Sequence, residues 1–314
     1  MALHQASGRW RLGLGLALAT AGFWATLPVA LKLTLEQLDP MTLTWFRFLV
    51  AFAGTLALLW MRGGLGQLRG LGGRHRWLLV LAALGLIGNY VFYLLGVQRT
   101  SPGNAQLLIQ LAPLGMLLGG VFVFGERFRG AQWVGVALLV GGLGLFFREQ
   151  LVHAADVAHA TPSGYLVGSA LVVLAAAVWA VYALAQKQLL LRLGSQGILL
   201  VIYAAATLLL LPFATPSALL RMDALHWALL GYCALNTLGA YGCFAEALAH
   251  WEASRVSAVL AMTPLLTILS VMAVHAVWPE VIRPEAVGLG GWIGAGLVVA
   301  GSAAVSLLGQ RKSS

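Results

Sequence analysis

Long apolar runs, broken at short intervals by compact polar segments, make up almost the entire chain. A helix rising 1.5 Å per residue needs about 20 mostly apolar residues to cross a hydrocarbon layer of roughly 30 Å. Ten runs meet that length, approximately Leu12–Leu31, Thr42–Met61, Trp77–Val97, Gly103–Phe124, Gly130–Phe147, Gly164–Gln186, Gly197–Phe213, Leu225–Ala249, Ser254–Trp278 and Gly288–Leu308. The seventh is the shortest. The connections are brief, and the longest, Arg148 to Ser163, mixes His, Asp and Pro and reads as a surface loop. The pattern predicts an all-α integral membrane protein of ten transmembrane helices.

Composition agrees. Of 314 residues, 60% are hydrophobic and 9% charged, against the roughly 25% charged of a soluble domain. A chain of this size with so few polar groups cannot cover a soluble surface. Net charge is +9, which in a soluble protein would suggest nucleic acid. Here the basic residues sit in short loops with no aromatic interleaving, so the charge reads as topology. Arg9, Arg11, Arg62, Arg69, Arg74, Arg76, Arg127, Arg129, Lys187, Arg192, Arg255, Arg311 and Lys312 fall on one side. Lys32, Arg99, Arg148, Arg221 and Arg283 fall on the other, together with most of the acids. The positive-inside rule then places both termini in the cytoplasm. Arg9 and Arg11 before an apolar run could mimic a signal peptide, but the run is too long for one and more spans follow. The two cysteines, Cys233 and Cys243, are ten residues apart in one run and read as small apolar packers.

The chain also repeats itself. Ala21–Leu38 and Ala176–Leu193 share seven of 18 positions, including Trp24-Ala25 with Trp179-Ala180 and Lys32 with Lys187. Further on, Pro113 matches Pro264, Glu126 matches Glu280, and Trp133-Val-Gly135 matches Trp292-Ile-Gly294. Five spans per copy is an odd number, so the second copy enters from the opposite face. Residues 1–150 and 161–310 are thereby two inverted five-helix repeats of one transport unit, an arrangement found in many secondary transporters.

The stretch Phe92–Phe146, with a mid-span Pro113, the Gly125-Glu126 loop and a following Gly-rich helix, resembles the drug/metabolite transporter superfamily. More narrowly, it is similar to the EamA-type ten-helix exporters. Trp24 and the Trp45-Phe46-Arg47-Phe48 segment fit the same family, although the position matching Arg47 in the second copy is Ile202. The resemblance implies export of small metabolites by alternating access, among them amino acids, aromatic ones included, or amphipathic compounds. It also implies a cavity between the first four helices and the sixth to ninth, braced by the fifth and tenth. A sugar or nucleotide-sugar transporter of the same superfamily is a second reading. An integral membrane enzyme acting on lipid-like substrates is a third, but no cluster of acids or histidines supports it.

Candidate residues follow from depth. Pro113 and Pro264 lie about ten residues into their runs, or ~15 Å, half the hydrocarbon core. Proline kinks a helix and frees a carbonyl one turn back, so both are expected at a kink that gates the cavity. Pro28 has no counterpart, since Ala183 holds its position. Asn89, Gln106, Gln110 and Asn236 are amides that must face protein, water or substrate rather than lipid. Trp24 and Trp179 are too deep for an interfacial belt, and with Tyr93, Tyr182 and Tyr241 they could wall an apolar or aromatic ligand. Tyr90 and Tyr203 lie in spans too. Packing is the bland alternative for each of these residues. Arg47, about five residues into its run, could snorkel outward or pair with a carboxylate. Glu246, near the end of the eighth span, could relay a proton. Gly115/Gly119 and Gly290/Gly294 make small-residue faces that suit packing within the monomer or a weak homodimer. No nucleotide-binding loop, zinc motif or paired intramembrane carboxylate is present, so no cofactor, metal site or catalytic residue is expected. The expected partners are a small-molecule substrate and the lipid bilayer of a bacterial-type inner membrane.

Overall fold

A computed structural model of the chain describes residues 9–68, 72–124, 130–156, 162–251, 256, 259–282 and 287–308. Among them there is no strand. Eleven α-helices are defined: α1 (Trp10–Thr34), α2 (Pro40–Met61), α3 (Gly73–Arg99), α4 (Pro102–Leu108), α5 (Leu111–Phe124), α6 (Gly130–Asp156), α7 (Pro162–Leu189), α8 (Ser195–Leu210), α9 (Ala224–His250), α10 (Thr263–Val277) and α11 (Leu289–Leu308). Short 3-10 turns follow α2 and α8. Five of these helices, α1, α2, α3, α7 and α8 with its 3-10 extension, are long and apolar enough by themselves to cross a bilayer. Large apolar side chains such as Trp60, Phe122, Leu208 and Leu220 stand exposed on the outside, as a lipid-facing surface requires.

The polar punctuation sets the helix starts. Asp39 caps α2, accepting from the Met41 and Thr42 amides at 2.9 Å, with Pro40 in the first turn. Ser101 caps α4 in front of Pro102. Asp223 caps α9 through the His226 amide at 2.9 Å. Each cap satisfies orphan amide donors of a first turn. Cross-chain bonds collect these caps at one end of the bundle. Gln37 Nε2 donates to Asp223 at 2.7 Å, the Thr215 amide donates to Thr42 Oγ1 at 2.7 Å, and Lys32 Nζ reaches the carbonyls of Val97, Gln98 and Thr100 at 2.8–2.9 Å. Arg74, His75, Gln188 and Arg192 gather at the other end. Several residues of the charge sorting, Arg69, Arg127, Arg129, Arg255, Arg283, Arg311 and Lys312, lie outside the described residues, as do Glu126 and Glu285.

Helix packing carries the repeat. α3 packs on α7 as α9 packs on α1; α5 lies on α7 as α10 lies on α1; α3 touches α8 as α9 touches α2. The pairs α2–α8 and α6–α11 map onto themselves. Exchanging the two halves of the chain therefore maps these main pairings onto one another, as two five-helix repeats about a pseudo-two-fold axis require. α3 and α9 are both 27 residues long. Gly73 then answers to Ala224 and Tyr90 to Tyr241. The α6–α11 pair crosses backbone to backbone. A Cβ added at Gly142 would lie 2.6 Å from the Gly294 carbonyl oxygen, and one at Gly301 would lie 2.4 Å from the Leu139 amide nitrogen. Gly115 and Gly119 instead make room for side chains of α7, those of Ala180 and Leu184. These small-residue faces are used inside the monomer. Gly290 belongs to a different contact: with Gly288 it borders the Glu149 carboxylate at the start of α11, where the helix dipole favours an anion.

Two expectations need correction. The segment after Arg148 is not a loop: α6 continues to Asp156, because no glycine or proline interrupts it before Pro162. Nor do Pro113 and Pro264 kink continuous helices. The fourth span breaks at Ile109–Gln110 and the ninth at Ala261–Met262, and each proline sits in the first turn of the segment that follows. There its missing amide hydrogen costs nothing, because first-turn donors have no intrahelical partner. Bonds of the 3-10 type bridge the breaks, Gln110 N to Leu107 O at 3.1 Å and Ala112 N to Ile109 O at 2.9 Å in the fourth span, and Met262 N to Val259 O at 3.1 Å in the ninth.

Candidate functional site

At the seam between the repeats, α2, α3, α7, α8 and α9 bring tyrosines and one arginine together. Arg47 leaves α2, is only 4% exposed, and turns inward. Its Nε donates to the Cys233 carbonyl at 3.2 Å and to Thr237 Oγ1 at 3.3 Å, both on α9. Its guanidinium carbon stands 4.7 Å from the centre of the Tyr90 ring on α3, within cation–π range. The snorkelling expectation thus fails. α2 begins at Pro40, two turns before Arg47, and the side chain finds acceptors on α9 instead of reaching the interface.

Tyrosines surround this cation. Phe48 lies 4.6 Å from Tyr90 and 5.8 Å from Tyr203, ring centre to ring centre. Tyr93 and Tyr203 are both within electrostatic reach of Arg47. Tyr241 in turn lies within electrostatic reach of Tyr90, Tyr182 and Tyr203, and its hydroxyl interacts with the Trp179 side chain. Trp179 stands edge-on to Tyr182 at 6.2 Å. Trp24 makes an edge contact with Tyr241 at 5.8 Å and a tilted one with Phe244 at 5.7 Å. Trp24 and Trp179, matched in sequence, therefore meet the same tyrosine. Both are half-buried. Pro28, buried in α1, removes the hydrogen bond that would have gone to the carbonyl of Trp24, four residues earlier.

The amides divide. Gln106 accepts from the Tyr93 hydroxyl at 3.0 Å and so joins the cluster. Gln110 occupies the break of the fourth span, buried, and its Nε2 has no hydrogen-bond partner among the described residues. Asn89 and Asn236 each reach across a helix pair to a backbone carbonyl, Asn89 to Ala175 at 3.0 Å and Asn236 to Phe23 at 2.8 Å. Glu246 is not brought to the centre. Its side chain is 62% exposed and pairs with His250 at 3.1 Å near the end of α9.

Tyr90, Tyr203, Phe48 and Phe244 complete a cage that depth counting alone does not single out. The repeat supplies the signal that finds them. Tyr90 answers to Tyr241, Phe48 to Tyr203 and Tyr93 to Phe244. Outside the membrane-spanning segments, Asp223 is the perturbed acid. The His226 amide, then its imidazole, and Gln37 hold its carboxyl down at about 2. Among the described residues no three His, Cys, Asp or Glu side chains converge as metal ligands.

A family model for the EamA-like transporter family matches residues 11–148 and again 166–307. The inner membrane transporter YhbE of Escherichia coli (strain K12), itself named as uncharacterized, is 39% identical over 304 residues, covering 96% of this chain and 92% of that protein. A probable amino-acid metabolite efflux pump of the same organism is 25% identical over 269 residues, 81% of this chain and 84% of that protein. The aromatic amino acid exporter YddG of Ancylobacter novellus is 29% identical over 167 residues, 52% of this chain and 54% of that protein.

Proposed function

Since this chain belongs to the EamA-like transporter family, and is therefore an integral membrane transporter of two five-helix repeats, we propose that it exports small amphipathic metabolites, amino acids and in particular aromatic ones, by alternating access. The observation that carries this reading is the cage itself. Trp24, Trp179, Tyr182 and Tyr241 come from three helices of both repeats and meet at the seam. Aromatic faces there offer stacking surface to a flat apolar ligand. The breaks at Gln110 and Met262 lie in spans four and nine, where irregular backbone in a membrane is tolerated only against protein or a water-lined path. Two repeats rocking about such a seam would expose it to one side and then the other. Names of more distant relatives, an amino-acid metabolite efflux pump and an aromatic amino acid exporter, support the same class.

The matching test is counterflow in proteoliposomes. Purified protein should exchange labelled amino acids or related metabolites against an unlabelled internal pool. No exchange with any compound of a broad metabolite panel, from a preparation that is folded and inserted, refutes the proposal. The proposed orientation has both termini cytoplasmic and the Lys32/Asp39/Asp223 end outside, on the asymmetry of basic residues. Terminal reporter fusions active only in the periplasm would overturn that orientation.

A further inference from the structure

Arg47 carries five N–H donors in a planar guanidinium fork. Only Nε is engaged, by the Cys233 carbonyl and Thr237 Oγ1; the donors on its two terminal nitrogens make no hydrogen bond among the described residues. It is only 4% exposed, and among the described residues no carboxylate pairs with it. The acids nearest in sequence on the neighbouring helices, Glu36, Asp39, Asp223 and Glu246, sit at helix ends and are engaged there. A buried unpaired charge is costly. The tyrosine face compensates only part of that cost. The position in the second repeat is Ile202, so the pseudo-symmetry does not demand a cation here. The Tyr203 hydroxyl, within electrostatic reach of Arg47, can donate to an anion beside the guanidinium, whereas the Tyr93 hydroxyl is already given to Gln106.

We infer that the site selects its ligand by a carboxylate, which Arg47 binds through its two terminal nitrogens while the Trp24–Tyr241–Trp179 aromatics hold a planar apolar body. This rests on the proposed transport function and adds a ligand rule to it. No acidic side chain described at the centre is placed to receive an ammonium, so the amino group of an amino acid is dispensable. Aromatic monocarboxylates lacking it are accepted, and arylalkyl amines, which carry an ammonium, are rejected by the like charge of Arg47.

The test holds the ring constant and varies the head. Phenylacetate, phenylalanine, phenethyl alcohol and phenethylamine are compared as ligands of the purified protein by thermal shift, and as competitors of labelled phenylacetate in proteoliposomes. Wild-type protein should bind phenylacetate at least as tightly as phenylalanine. It should bind phenethylamine about tenfold or more weakly, the ratio expected for a hydrogen bond to a charged group. Arg47→Gln should erase the preference for carboxylate over alcohol, while Arg47→Lys keeps part of it. A merely structural role for Arg47 would lower stability and leave the head-group ratio unchanged. The inference is overturned if phenethylamine equals phenylacetate on the wild type, or if phenylalanine exceeds phenylacetate more than tenfold. Retention of the carboxylate preference by a folded Arg47→Gln protein overturns it too. The wild-type comparison decides the matter even if Arg47→Gln does not fold. In each of these failures, exchange of other metabolites in the panel would leave the transport proposal standing.

Discussion

Gly141 and Gly142 are neighbours on α6, and the structure assigns them opposite responses to the same substitution. A Cβ at Gly141 meets nothing within 4 Å; one at Gly142 would stand 2.6 Å from the Gly294 carbonyl oxygen and 2.8 Å from both Leu297 Cβ and the Val298 amide nitrogen of α11. Ordinary contact begins near 3.4 Å, so the two backbones would have to separate by roughly 0.8 Å along that contact. Backbone cannot rotate aside as a side-chain tip can, and Gly301 and Gly135 pin the same crossing one and two turns away. Alanine gains up to ~1 kcal/mol over glycine in a helix, and both variants share that gain. Their difference isolates the overpacking, about 1–3 kcal/mol. Gly141→Ala should match or exceed the wild type in thermal stability. Gly142→Ala should fall several degrees below Gly141→Ala, at about 2–4 °C per kcal/mol. The measurement is unfolding of detergent-purified protein followed by tryptophan emission. Equal stability of the two variants would refute the backbone-to-backbone crossing, and with it the role of α6 and α11 as a rigid brace.

Trp24→Ala and Trp179→Ala should each reduce export in the counterflow assay while membrane insertion stays normal; wild-type rates in both would remove the aromatic cage from the transport path. Asn89→Ala breaks one interhelical bond, worth about 0.6 kcal/mol, so a large loss of export with little loss of stability would mark a functional amide, whereas unchanged export would mark a packing one. Lys32→Met should speed hydrogen exchange at the end of α3, whose last carbonyls Lys32 holds; unchanged exchange at Val97–Thr100 would show that the contact does not restrain that end. Asp223 is held at about 2, below its ordinary 3.8, so its contribution to stability is present above about pH 4 and lost as pH falls toward 2. Asp223→Asn should flatten that part of the acid profile, and an unaltered profile would show that the cap is not the titrating element.

Much of the architecture is legible along the chain because a bilayer imposes simple demands. An apolar run of sufficient length must be a helix, basic residues must stay on one side, and a repeat of odd span number must invert. Those constraints give the ten spans, the two halves, and the deep aromatics Trp24, Trp179 and Tyr241, which the structure gathers at one seam. Depth is also what separates Trp24 from an interfacial tryptophan. Where the chain misleads, a three-dimensional neighbour decides. The prolines mark the right positions, but whether they kink a helix or follow a break depends on what the freed groups at Gln110 and Met262 find around them. Glu246 and Arg47 look alike as ionisable residues in apolar runs. One turns to His250 at an exposed helix end, and the other is drawn inward by the Cys233 carbonyl and Thr237, acceptors 186 and 190 positions away. Sequence alone thus determined the membrane fold and its duplication, because both follow from hydropathy and spacing. Only tertiary structure decided which polar groups face the seam. That choice rests on hydrogen-bond partners and ring contacts supplied by the opposite repeat, at distances the linear pattern does not encode.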